Sequence, residues 1–176
     1  MKKTVIKFSL DSTDIERAIQ ELNTFAQNFR EKVDAYRKRL SEEIAGRASL
    51  NFGSSVVDDV IKGGSPRMAD VNVSVSHKGK VSVVVANGED AVWCEFGAGV
   101  YHNGSVGSSP NPLGSQLGFT IGSYGKGYGK GQAWGFYGDS GELIITRGTK
   151  ATMPMYNAAQ EVLRISVEIA REVFGQ

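Results

Sequence analysis

The segment Phe96–Gly141, FGAGVYHNGSVGSSPNPLGSQLGFTIGSYGKGYGKGQAWGFYGDSG, places glycine at nearly every third position and carries few aliphatic side chains. Such a stretch cannot bury enough apolar surface to offset the entropy of ordering it, so the chain reads as a small folded body carrying a large adaptive loop. The flexible part is expected over 97–132. Tyr101, Phe119, Tyr124, Tyr128, Trp134, Phe136 and Tyr137 punctuate the glycines together with Lys126 and Lys130. They offer contact area on a permissive backbone, which suits docking onto other protein subunits.

Immediately upstream, AVWCEFGAG reads as a short buried element ending in glycines. Gly97 and Gly99 let the chain leave it through conformations closed to other residues. Glu95, between Cys94 and Phe96, is expected to be partly buried, and a buried carboxylate needs a partner. Arg147, at the far edge of the loop, is the best candidate in the sequence. Further back, Val71, Val73, Val75 and Val81, Val83, Val85 alternate with small polar residues, which predicts two strands joined by a turn at Ser76-His77-Lys78-Gly79. These strands and the Glu-Phe-Gly motif make up 71–96. Between Asn51 and the first strand, NFGSS and KGGSP are loop-like.

At the start of the chain, Thr13 and Glu16 have the spacing of a capping box. Ile15, Ile19, Leu22, Ala26, Phe29, Val33, Tyr36 and Leu40 then follow in a 4-3-4-3 rhythm. The pattern predicts a helix over 12–50 with one apolar seam, on the order of 50 Å long. That exceeds what a small domain needs, so Phe29, Val33, Tyr36 and Leu40 are candidate assembly residues. Downstream of the loop, Ala133–Tyr137 and Glu142–Thr146 predict a second hairpin over 133–148. Thr152 is placed to cap a helix over 152–174 with Pro154 in its first turn. Met155, Ala158, Ala159, Val162, Ile165, Ile169 and Val173 give that helix its apolar face.

The order helix, hairpin, loop, hairpin, helix implies a single α+β domain over 1–176: a mainly antiparallel sheet with a long N-terminal helix, a C-terminal helix and a long Gly-rich loop. With 176 residues, 40% of them hydrophobic, the chain supports one modest core. Twenty Lys and Arg against nineteen Asp and Glu leave a net charge of +1, too little to steer nucleic acid over the whole surface. The single Cys94 excludes an intrachain disulfide and fits a reducing cytoplasm. MKKTVIKFSLDSTD has its apolar residues broken by Lys7, Ser9 and Asp11, so it does not read as a signal peptide, and no run approaches membrane-spanning length.

The residues offer little catalytic chemistry. Cys94 has only His77 and His102 to serve it as a base, and its apolar neighbours make it a buried small hydrophobe. Two histidines without neighbouring carboxylates at ligand spacing make a weak metal site. The Gly-Lys pairs fail as a phosphate loop, because neither Lys126 nor Lys130 is followed by Ser or Thr and the earlier glycine is replaced by Thr120 and Tyr124. No enzyme activity, cofactor or metal is therefore expected. A nucleic-acid-contacting accessory protein is the alternative, since SYGKGYGKGQAWGFY can stack bases and touch phosphates. The basic run Arg37-Lys38-Arg39 lies beside Glu42 and Glu43 and reads as a solvated face with local ion pairs.

AVWCEFGAGVY, then Trp134 in a strand, then TRGTKATMPMYNAA resembles the neck or tail-completion proteins of long-tailed bacteriophages. This family is named for gene product ten of coliphage HK ninety-seven and includes head-tail joining and minor tail components. Glu95, Phe96, Gly97, Trp134, Gly148, Pro154 and Ala158 match its motifs in order, and the threonine common after Glu-Phe-Gly is Ala98 here. The resemblance implies a virion structural protein, assembled in the bacterial host cytoplasm as an oligomeric ring between the portal complex and the tail tube. Its implied partners are further copies of itself and the neighbouring head-completion and tail-terminator or tail-tube proteins. Contact with DNA in the channel would be incidental, and no membrane is involved.

Overall fold

A computed structural model describes residues 6, 11–98, 109, 111–114, 116 and 133–175. The fold is α+β, with antiparallel strand pairing throughout. Helix α1 (Ser12–Gly53) starts at Asp11, whose side chain accepts the Asp14 N–H at 2.9 Å. The cap is thus Asp11 rather than Thr13, because an extended Asp just before the helix can reach an orphan first-turn donor. Helix α3 (Pro154–Phe174) runs antiparallel to α1. Asn51 donates to the Pro154 carbonyl at 3.2 Å, Arg47 pairs with Glu161 at 2.9 Å, and the Tyr36 hydroxyl donates to the Ser166 carbonyl at 3.2 Å. At the far end the Phe174 ring lies 5.9 Å from each of Phe29 and Tyr36. Phe174 closes α3, so the first turns of α1, up to Asn28, run on past it.

Strands β4 (Asn72–Lys78) and β5 (Val81–Asn87) form the expected hairpin, turning at Gly79 and Lys80. The hairpin lies on α1, where Arg37 donates to the Gly79 carbonyl at 3.1 Å and hydrogen-bonds the Ser82 hydroxyl. Its facing differs from the sequence reading. Val73, Val75, Val84 and Ala86 are the half-buried set, while Val81 is 58% exposed and Val83 and Val85 also face outward. VSVVVA carries apolar residues on both parities, and packing of Val73 and Ala86 on the core selects the second one.

The sheet comes in three pieces rather than one. β4 pairs only with β5; β1 (Val56–Val57) pairs with β3 (Arg67–Met68); and β2 (Val60–Lys62) pairs with β7 (Leu143–Thr146), which pairs in turn with β6 (Trp134–Tyr137). β1, β2 and β3 fall in the stretch that reads as loop. The short helix α2 (Asp90–Phe96) carries the Glu-Phe-Gly motif. Its Cys94 joins Phe52 and Val57 at the centre of a core that Ala69, Val71, Val73, Ala86, Ala91 and Met155 surround. Ala158, Val162 and Ile169 bury the inner face of α3.

Candidate functional site at the Glu95 junction

The end of α2 and the start of α3 satisfy each other's orphan backbone groups. The Cys94 carbonyl accepts the N–H groups of Thr152 at 2.9 Å and Met153 at 3.1 Å. In the other direction, Glu95 Oε2 accepts the Met155 N–H at 2.8 Å and Oε1 accepts the Tyr156 N–H at 3.0 Å. α3 is therefore capped by a carboxylate from α2, where the helix dipole and free amides favour negative charge. Its own N-cap residue, Met153, sits in the left-handed region at φ 53° and offers no side-chain bond. Thr152, the expected cap, shares a 2.7 Å hydrogen bond with the Ser55 hydroxyl instead.

Glu95 is buried, and burial pushes its carboxyl above the ordinary value while the Met155, Tyr156 and Asn111 donors pull it back. Asn111, only 2% exposed, donates to Glu95 Oε1 at 2.8 Å. The Asn111 Oδ1 in turn accepts the Leu113 N–H at 2.9 Å, an Asx turn before and across Pro112. Ser109 donates to the Phe96 carbonyl at 2.7 Å. Gly97 leaves α2 at φ 79°, after which Ala98 and Thr149 exchange two backbone hydrogen bonds of 2.8 and 3.1 Å. The start of the glycine-rich segment is thus fastened to the connection between β7 and α3, and a point within the segment is fastened to Glu95.

Arg147 is not part of this junction. It pairs with Asp59 at 3.0 Å on a largely solvated edge, and the backbones of Asp59 and Arg147–Gly148 are joined by 2.8 and 2.9 Å bonds. The expected Glu95–Arg147 pair is replaced because the segment after β7 is drawn to β2 on one side, while α3 supplies Glu95 with donors on the other. Gly148, at φ 98°, makes the reversal between them. Thr146 and Thr149 are buried there, with the Thr146 hydroxyl donating to the Asp59 carbonyl at 3.0 Å.

A second buried carboxylate lies at the other end of α2. Asp90 takes both Arg67 guanidinium nitrogens, at 2.6 and 2.8 Å, and the Asp70 N–H at 2.9 Å. Burial works to raise the Asp90 carboxyl, but Arg67 and the Asp70 amide outweigh it and hold the group below its usual range. Between the two carboxylates, Cys94 is fully buried and its thiol is pushed up to about 11 by burial. It is a core residue, as its neighbours in the sequence imply.

The basic run on α1 is neutralised locally: Arg37 and Lys38 both pair with Asp34, holding its carboxyl at about 2, and Arg39 pairs with Glu43 at 3.4 Å. Of the candidate assembly residues, Phe29 and Val33 are exposed, whereas Tyr36 and Leu40 are half-buried. Gly99, Tyr101, Tyr124, Lys126, Tyr128 and Lys130 lie outside the described residues, as does the side chain of Trp134, whose backbone opens β6. Asn111, Asp90, Arg67 and Thr149 are the junction residues that sequence reasoning missed. The Asn-Pro step at 111–112 was the available signal, since it favours turn initiation.

Among the described residues no three His, Cys, Asp or Glu side chains group as metal ligands, and no helix is long and apolar enough to cross a membrane. The junction's chemistry is that of a structural joint: fixed donors and acceptors that are already satisfied. No protein-family model, curated protein or solved structure matches the chain.

Proposed function

We propose that this chain is a structural subunit of the head-tail connector of tailed bacteriophages. In this reading it assembles as an oligomeric ring between the portal complex and the tail tube, has no catalytic role, and works in the virion. One observation supports this most directly: Glu95 and Gly97 from one stretch of sequence and Pro154 from another, which carry the resemblance, lie around one joint. Residues that share a joint are constrained together, so their common match carries more weight than scattered matches would. The overhang of α1 adds apolar surface of the kind that assemblies cover. The loop, held at its base, then serves as the contact arm toward neighbouring copies, head-completion proteins or the tail.

Native mass spectrometry of the purified protein, alone and mixed with the head-completion and tail-terminator proteins of the same phage, tests the reading. Closed rings or stoichiometric complexes are expected. A chain that forms neither and instead retains DNA in a salt-sensitive manner would favour the nucleic-acid alternative. That alternative rests on Tyr124, Lys126, Tyr128 and Lys130, and the paired basic run on α1 adds nothing to it.

A further inference from the structure

We infer that β5 pairs antiparallel with β5 of a second copy about a two-fold axis at Val84, joining the two hairpins into one continuous sheet. The inference does not rest on the connector reading. A two-fold contact closes on itself, whereas a ring needs a head-to-tail contact elsewhere on the body.

β5 has the sequence of an inner strand but lies at the edge of its sheet. The hairpin register sets Ser74, Ser76 and Lys78 opposite Val85, Val83 and Val81. The outer face of β4 is therefore polar, as the wet face of an antiparallel hairpin should be, while that of β5 is a row of valines, with Val83 46% and Val85 45% exposed. Val84 and Ala86 are half-buried on the inner side, so β5 is apolar on both faces. Its backbone is open along one side. The two-residue turn at Gly79 and Lys80 closes on Lys78 and Val81, and bonded pairs then recur at every second residue. Val81, Val83 and Val85 thus direct their N–H and C=O groups to β4, whereas Ser82, Val84 and Ala86 direct theirs outward. Among the described residues no backbone group answers those outward ones. The strand runs from Val81 to Asn87 with no proline, lysine or bulge, so it lacks the devices that keep edge strands from pairing.

The strand that fits this edge is β5 itself. About an axis at Val84, Ser82 of each copy meets Ala86 of the other and the two Val84 residues meet, so the outward groups of both strands satisfy one another. The same register sets Val83 beside Val85 of the other copy and merges the two valine rows into one patch. Charge agrees with the direction. The turn of the hairpin carries Lys78 and Lys80, and its open end carries Asp70 and Glu89. Antiparallel pairing brings each turn to the open end of the other copy, with Lys80 beside Glu89, whereas parallel pairing would set turn against turn. Neither Lys80 nor Glu89 is in an ion pair among the described residues.

Sedimentation equilibrium of the full chain between about 1 and 500 µM should show monomer passing to dimer. Amide exchange followed residue by residue gives the signature of the edge. Raising the concentration across that range should slow Ser82, Val84 and Ala86 about 10-fold more than Val81, Val83 and Val85, which are bonded to β4 already. Val83→Lys with Val85→Lys sets like charges against each other across the axis and should weaken the dimer by about 100-fold. Far-UV circular dichroism should stay unchanged, because both side chains are exposed in the single chain. Val83→Lys with Val85→Glu sets opposite charges together in the same register and should keep most of the association. A monomer throughout the range, equal association in both double variants, or amides at Ser82, Val84 and Ala86 protected alike at every concentration would each overturn the inference. The last is the result if another segment of the same chain lies on β5.

Discussion

Glu95 accepts the Met155 backbone N–H at 2.8 Å, so the start of α3 is held by a side chain from another helix. Because burial already disfavours the Glu95 charge, what α3 needs is the pair of acceptor oxygens more than the negative charge. Glu95→Gln keeps one acceptor and should cost about 1–2 kcal/mol, whereas Glu95→Ala leaves two amides and the Asn111 donor unpaired and should cost about 3–4 kcal/mol. Urea unfolding of both variants gives the order directly. Equal losses would mean that the charge, rather than the acceptors, holds the helix.

Arg147 and Asp59 form an exposed pair, so Arg147→Met should cost under about 1 kcal/mol. Since Arg147 and Glu95 belong to different networks, the double variant Glu95→Gln/Arg147→Met should lose close to the sum of the single losses. Glu95→Gln combined with Asn111→Ala should lose less than its sum, because one removes the partner of the other. A coupling of more than about 0.5 kcal/mol between residues 95 and 147 would contradict the geometry.

Asp90 should govern acid stability. Its folded-state carboxyl is held below the ordinary 3.8 by Arg67 and the Asp70 amide, so its contribution is fully present above 3.8 and is lost as pH falls from there through the lowered folded-state value. The wild type should therefore lose stability on acidification below about pH 4, and Asp90→Asn, already weakened at neutral pH by about 2–4 kcal/mol, should show a flatter acid limb. Urea midpoints between neutrality and the acid limb check this; parallel curves for the two proteins would reject it.

Cys94 should behave as a silent reporter of unfolding. Its thiol is raised from 9.0 to about 11 in the folded state, so the associated stability is present at neutral pH and lost as pH rises through about 11. Modification by a disulfide reagent at pH 8 should follow the population of unfolded chain and not a rate of its own. Fast labelling in native buffer would show that the core around Phe52 opens locally.

The two long helices and both hairpins were legible because each is written in a local repeat. α3 follows its apolar face to within two residues of the expected start, and α1 keeps its seam to Gly53. The joint between them was not legible, since Glu95, Asn111 and Met155 are brought together only by the fold, and no local pattern marks a carboxylate as a cap for a distant helix. β1, β2 and β3 escaped because two- or three-residue strands gain their pairing from partners such as Met68 and Ile145 rather than from their own alternation. The outward facing of Val81, Val83 and Val85 was hidden by Val84 between them, which gives both strand faces a claim to the core.

The reciprocal bonds between Ala98 and Thr149, with Asn111 held on Glu95, divide the glycine-rich segment into two separately closed spans. Closing a span costs more only as the logarithm of its length, about 0.6 kcal/mol for each doubling. Either span can therefore gain or lose residues between the fastenings with little effect on the body. The lengths of sequence between the fastenings can thus change while α1, α2 and α3 stay as they are.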